Sequence, residues 1–138
     1  MIYSAPCGFE ALADFQMAAA RIRKFADMHR EYAAAARRRE ARAVAFAEAG
    51  RTIAARESFF IAAQLWACAR WPVFEVNQAH REYDRRLTEC YARFAALSAH
   101  PVERIEIPFG GASLPAWLHL PRERAPDERF PLLSIPGM

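Results

Sequence analysis

Residues 102–121 read VERIEIPFGGASLPAWLHLP, and their chemistry repeats every two positions. Ile105, Ile107 and Phe109 fall on one face and Arg104 and Glu106 on the other, the alternation of a half-buried strand. Gly110-Gly111 supplies a turn, and the return stretch 114–120 puts Leu114, Ala116, Leu118 and Leu120 on one face. Pro115 has no N–H to give to a ladder, so that strand suits a sheet edge. A β-hairpin is expected. A charged loop, 121–129, then leads to FPLLSI at 130–135, a short apolar run of the kind buried as a parallel strand, and the chain stops at Pro136-Gly137-Met138.

Upstream of the hairpin the punctuation changes. No glycine lies between Gly8 and Gly50, no proline between Pro6 and Pro72, and seven of the nine prolines fall from Pro101 onward. The first part is therefore expected to be helical. Phe9, Leu12, Phe15, Ile22, Phe25 and Tyr32 recur at steps of three, four or seven and predict a first helix starting after Gly8. A second helix is expected over residues 38–49, ended by Gly50 in the left-handed position that closes many helices. A third, from about Thr52 to Trp71, is stopped by Pro72, and its segment FFIAAQLWACA at 59–69 is apolar on nearly every side. That helix should be central. A fourth, over 75–98, carries Val76, His80, Tyr83, Leu87, Cys90, Phe94 and Leu97 along one seam. Short connections make these an antiparallel bundle. The domain reading is a helical bundle at 1–99 and the first strands of a sheet at 100–138.

Composition narrows the partners. With 54% hydrophobic and 25% charged residues, the 138-residue chain should fold rather than stay disordered. Its net charge is only +3, and Arg37-Arg38-Arg39 runs straight into Glu40, which reads as a solvated helix face and not as a nucleic-acid footprint. Cys7, Cys68 and Cys90 form no CxxC spacing, so neither a disulfide framework nor a zinc site is expected; free thiols suit a reducing cytoplasm. No signal core opens the chain, and the apolar run at 59–69 is too short to span a bilayer, so no membrane partner is expected. No histidine pair has metal-ligand spacing on one helix face, and no cofactor or metal is implied.

Taken together, the helical part, VERIEIPFGGASLPAWLHLP and FPLLSIPGM resemble the N-terminal portion of the cap-bearing α/β-hydrolases of the FrsA and 2,6-dihydropseudooxynicotine hydrolase group. The likeness extends back through Arg56-Glu57-Ser58-Phe59-Phe60, Ala69-Arg70-Trp71-Pro72 and 94–101, so that it covers residues 50–138, whereas the residues before Gly50 match only in being helical. The resemblance implies a mainly α-helical cap followed by a β-hairpin and one further strand, the start of an α/β-hydrolase mixed sheet with an incomplete core. It implies a Ser, Asp or Glu, His hydrolase with its nucleophile in a GxSxG elbow and a small-molecule acyl or ketone substrate, cleaved at an ester, amide or carbon–carbon bond. The 130–135 run would be the family's third strand, and Gly137 and Met138 the loop after it that lends a backbone N–H to the oxyanion hole. Such a donor is worth about 3–4 kcal/mol of transition-state stabilisation. Nucleophile, acid and histidine are expected beyond Met138, leaving this chain inactive alone.

The residues themselves offer little chemistry. Ser113, in Gly111-Ala112-Ser113-Leu114-Pro115, has half of an elbow motif but sits in a hairpin turn, and Ser58 and Ser134 lack the motif. His80 lies on the apolar seam of the fourth helix, either as a satisfied core histidine or as a polar lining of the substrate cavity. His29 and His119 read as structural, and His100 signals nothing by itself. Phe59, Phe60, Trp66 and Tyr83 read first as core, while the break at Pro72 makes Trp71 and Phe74 the stronger candidates for pocket contact. In the α/β-hydrolase order the 130–135 strand lacks its neighbour, so self-association is expected. The rival reading is a self-contained helical protein-interaction module with a hairpin tail, although no 34-residue repeat recurs.

Overall fold

The computed structural model describes residues 8–123 together with 125, 127 and 129. The chain divides into two compact units, Met1–Ser98 and Ala99–Met138. Helices α1 (Gly8–Ala19), α2 (Met28–Glu48), α3 (Thr52–Arg70) and α4 (Gln78–Ala96) form the first, and strands β1 (Val102–Phe109) and β2 (Ala112–His119) pair in the second. This is the helical bundle and hairpin expected from the sequence.

Helix α3 is central, packing against both α2 and α4. It buries Phe59, Leu65 and Trp66 almost completely, together with Ala55, Ile61, Ala62, Ala63 and Ala69. From α2 come small residues, Ala33, Ala36 and Ala43, which leave room for those large ones. Tyr83 and Cys90 of α4 are buried, and Leu87, Phe94 and Leu97 pack against the same core. The indole N–H of Trp66 donates to Glu40 at 3.1 Å, and Arg86 donates to the other oxygen of that carboxylate at 2.9 Å. Burial of the indole thus leaves no donor unpaired.

Three boundaries differ from the sequence reading. The apolar steps from Phe9 to Tyr32 do not make one helix: α1 stops at Ala19, a short 3₁₀ turn runs over Phe25–Asp27, and α2 starts at Met28. At the break, the Asp27 carboxylate accepts from the backbone N–H groups of Arg23 at 3.3 Å and Lys24 at 3.2 Å. Such local side-chain bonds compete with the helix for backbone donors. Helix α2 then runs without interruption through 38, because its alanine-rich first half contains no breaker. Phe9 is 91% exposed; the face of α1 that is buried is Ala11 and Ala18, with Phe15 against Tyr32. Helix α4 starts at Gln78 rather than 75, with the Asn77 side chain accepting from the His80 N–H at 3.0 Å, and Val76 is left exposed outside the seam.

The arginine run also differs from its expected place. Arg37 and Arg38 are exposed, but Arg39 is 5% exposed. Its guanidinium donates to Asp14 and, at 2.7 Å, to Glu10, both on α1, and also reaches the Glu10 carbonyl at 3.3 Å. A buried guanidinium is tolerated only with such partners, so this charge fixes α1 on α2.

Helix ends follow the punctuation. Gly50 takes φ +67°, with its N–H bonded to the Ala47 carbonyl at 3.0 Å and the Arg51 N–H to the Phe46 carbonyl at 2.8 Å, the paired bonds of a Schellman closure. At the end of α3, Trp71 keeps helical angles despite preceding a proline. The stop comes from Pro72, which has no N–H to continue the ladder, and the Val73 N–H turns back to the Arg70 carbonyl at 3.0 Å.

In the second unit, Phe109 pairs with Ala112 across Gly110 (φ +53°) and Gly111 (φ +81°), the two left-handed residues of a tight hairpin turn. Ile105 faces Ala116 and Ile107 faces Leu114. Ile107, Phe109 and Leu114 are exposed. The expected strand at 130–135, Ser134, Cys7 and the Gly137-Met138 loop lie outside the described residues.

Candidate substrate-facing end of the helical unit

Because the helices run antiparallel, the connections at 20–27 and 71–77 meet at one end of the bundle. Phe25, from the first, lies edge-on to Trp71 with centroids 6.2 Å apart, and parallel to Phe74, 6.1 Å apart with planes 8° from each other. None of the three is buried: Phe25 is 51% exposed, Trp71 60% and Phe74 78%. Large aromatic side chains gathered on a surface in this way mark a binding face more often than chance.

His80 stands at the root of this end. Its ring Nδ1 is 2.9 Å from the Val73 carbonyl, and a carbonyl only accepts, so Nδ1 carries the proton. With its backbone N–H on Asn77, His80 holds the 71–77 connection to the first turn of α4 from two directions. The ring therefore positions the segment that bears Trp71 and Phe74. The structure brings together three of the residues singled out by sequence, Trp71, Phe74 and His80, and adds Phe25, which the stripe from Phe9 to Tyr32 assigns to a helix interior.

The other candidates are held elsewhere. His29 Nδ1 meets the Tyr83 hydroxyl at 3.1 Å between α2 and α4. His100 Nε2 and His119 Nδ1 lie 2.8 Å apart at the base of the hairpin, and burial followed by the nearby His100 lowers the pKa of His119. Ser113 donates to Glu106 at 2.7 Å rather than to a histidine, and Ser58 is buried inside α3. Cys68 and Cys90 are free thiols whose pKa values burial pushes up to about 11 and about 12, so both stay protonated and unreactive at neutral pH. A shallow depression of about 260 Å³ on α4 is lined by Gln78, Arg81, Glu82 and Arg85, and in it Arg85 bonds both Glu82 and Glu89. Among the described residues no group of three or more metal-ligating side chains converges, and no helix is long and apolar enough to cross a membrane.

No protein-family model matches the chain. In sequence it is 30% identical to the alpha/beta hydrolase ucsC of an Acremonium species, over 153 aligned residues that take in 99% of this chain and 31% of that protein. In structure it matches the crystal structure of 2,6-dihydroxy-pseudo-oxynicotine hydrolase with a TM-score of 0.63 and 22% identity, covering 83% of this chain and 32% of that one. Bundle and hairpin thus have the fold of one part of an α/β-hydrolase, and the sequence is similar to such a protein along its length. Segments of the chain resemble the 2,6-dihydropseudooxynicotine hydrolase group, and the chain spans about a third of the length of the relatives it matches.

Proposed function

We propose that this chain is the cap, over 1–99, and the opening strands, over 100–138, of a serine-type α/β-hydrolase that cleaves an ester, amide or carbon–carbon bond in a small acyl or ketone compound. The observation that carries this is the match to an α/β-hydrolase along 99% of the chain. In this reading Trp71 and Phe74 face the substrate, and His80 keeps them in place. Gly137 and Met138 lend the oxyanion hole a backbone donor. The attacking serine, its acid and its histidine come from the two-thirds of such a hydrolase that these residues do not include. No GxSxG occurs in the sequence, and the one serine with part of the motif, Ser113, is bonded to a carboxylate in a hairpin turn. Free thiols at Cys68 and Cys90 suit a cytoplasmic setting.

The test is reaction of the 138-residue chain with a fluorophosphonate probe, read by mass spectrometry. No serine is expected to carry the label. A modified serine in this chain would overturn the division of labour proposed.

A further inference from the structure

Resting on the pocket reading above, we infer that the end of the bundle formed by Phe25, Trp71 and Phe74 binds a planar aromatic body bearing a negative charge, with Arg21 and Arg23 selecting the charge. Phe25 is the third ring of the site. It reaches both other rings although it comes from a different connection, so the platform exists only when 20–27 and 71–77 are both in place. Three exposed π faces suit a flat conjugated partner, which stacks on them at little entropic cost.

The charge preference comes from the same connection. Arg21 and Arg23 are exposed and enter no ion pair among the described residues. Arg23 is two residues from Phe25, a separation of at most about 7 Å along the chain. The acids near this end are Asp27, engaged by Arg30 at 3.0 Å and by the backbone of Arg23 and Lys24, Glu31 in the first turn of α2, and the exposed Glu75 of the second connection. Both guanidinium groups thus belong to the connection that carries Phe25 and keep their side-chain donors unspent, and such a group can hold a carboxylate by two parallel bonds.

The experiment uses the 138-residue chain and 4-nitrobenzoate, a flat anion that quenches tryptophan fluorescence. Trp71 is the exposed reporter, since Trp66 is buried and Trp117 half-buried. Saturable quenching is expected, lost in Trp71→Phe, with the neutral 4-nitrobenzamide binding about fivefold or more weakly. Phe25→Ala should weaken both compounds by a similar factor. Arg21→Gln with Arg23→Gln should abolish the preference for the anion while leaving the amide unchanged. All four replaced side chains are exposed, and thermal melts monitor the fold; Phe25→Leu, which keeps the apolar bulk and removes the ring, should bind as poorly as Phe25→Ala. Equal affinity for acid and amide overturns the inference, as does saturable binding that survives the Phe25 and double arginine changes, although the latter leaves the Trp71 and Phe74 pocket standing. Non-saturable quenching overturns it as well, and a Trp71 blue shift with phosphatidylglycerol vesicles in its place would mark a lipid-facing surface. The serine-labelling test is independent of each of these outcomes.

Discussion

Arg39 carries more structural weight than any other charged side chain described. It lies at 5% exposure between α2 and α1, and its partners Asp14 and Glu10 are all that offset its desolvation. Removing a partner leaves a buried charge uncompensated, so Asp14→Ala should destabilise the helical unit by about 2–4 kcal/mol, measured by denaturant unfolding. Glu10 is held below its usual 4.5, chiefly by its bond to Arg39. A carboxylate with a depressed folded-state pKa contributes stability that is complete above the unfolded value and lost as pH falls through the folded one. Amides of α1 should therefore lose hydrogen-exchange protection below about pH 4.5, before those of α3, and Glu10→Gln should remove that pH dependence. None of this is legible in Arg37-Arg38-Arg39, because three adjacent arginines differ only in which way the helix turns them and what the neighbouring helix offers. The aromatic end shows the same limit. Trp71 and Phe74 can be read from the break at Pro72, whereas Phe25 cannot, because its steps from Phe15 and Tyr32 match a helix that the Asp27 side chain interrupts.

At the scale of elements, α3 and the hairpin are legible for a physical reason: their signals are local. An apolar run bounded by Gly50 and Pro72 has few ways to fold, and period-two alternation around Gly110-Gly111 fixes the register of both strands. Spacing alone puts the start of α4 too early because Glu75 and Val76 continue its pattern, while the Asn77 cap ends the competition at Gln78. Gly50→Ala should cost about 1–2 kcal/mol, since φ +67° is a left-handed conformation that a Cβ penalises. The cost is conformational and not steric, because no atom lies within 4 Å of the place the added methyl carbon would take. In the hairpin, β1 and β2 pair only with one another among the described residues, and Ile107, Phe109 and Leu114 are exposed. Unpaired edges with apolar side chains promote association, so sedimentation velocity should show concentration-dependent self-association that Ile107→Lys weakens.

On the scale of the molecule, the helical unit supplies a rigid frame and an exposed aromatic end, and the second unit supplies a hairpin. Among the described residues the serine with part of an elbow motif, Ser113, meets the Glu106 carboxylate in a hairpin turn. That division fits the proposed cap, because a serine hydrolase keeps its strained elbow and preorganised donors in the core while a cap needs only surface and shape. The likeness to α/β-hydrolases is legible because helix, strand and turn segments carry sequence signatures that survive divergence. The substrate is not, because a binding face is set by side chains brought together from separate connections. The most direct test is to join this chain to the remaining two-thirds of the alpha/beta hydrolase ucsC in place of the matching third, and to locate the fluorophosphonate label by mass spectrometry. The label is expected on a single serine outside these 138 residues; a label on Ser113, or on any other serine within them, would contradict the assignment.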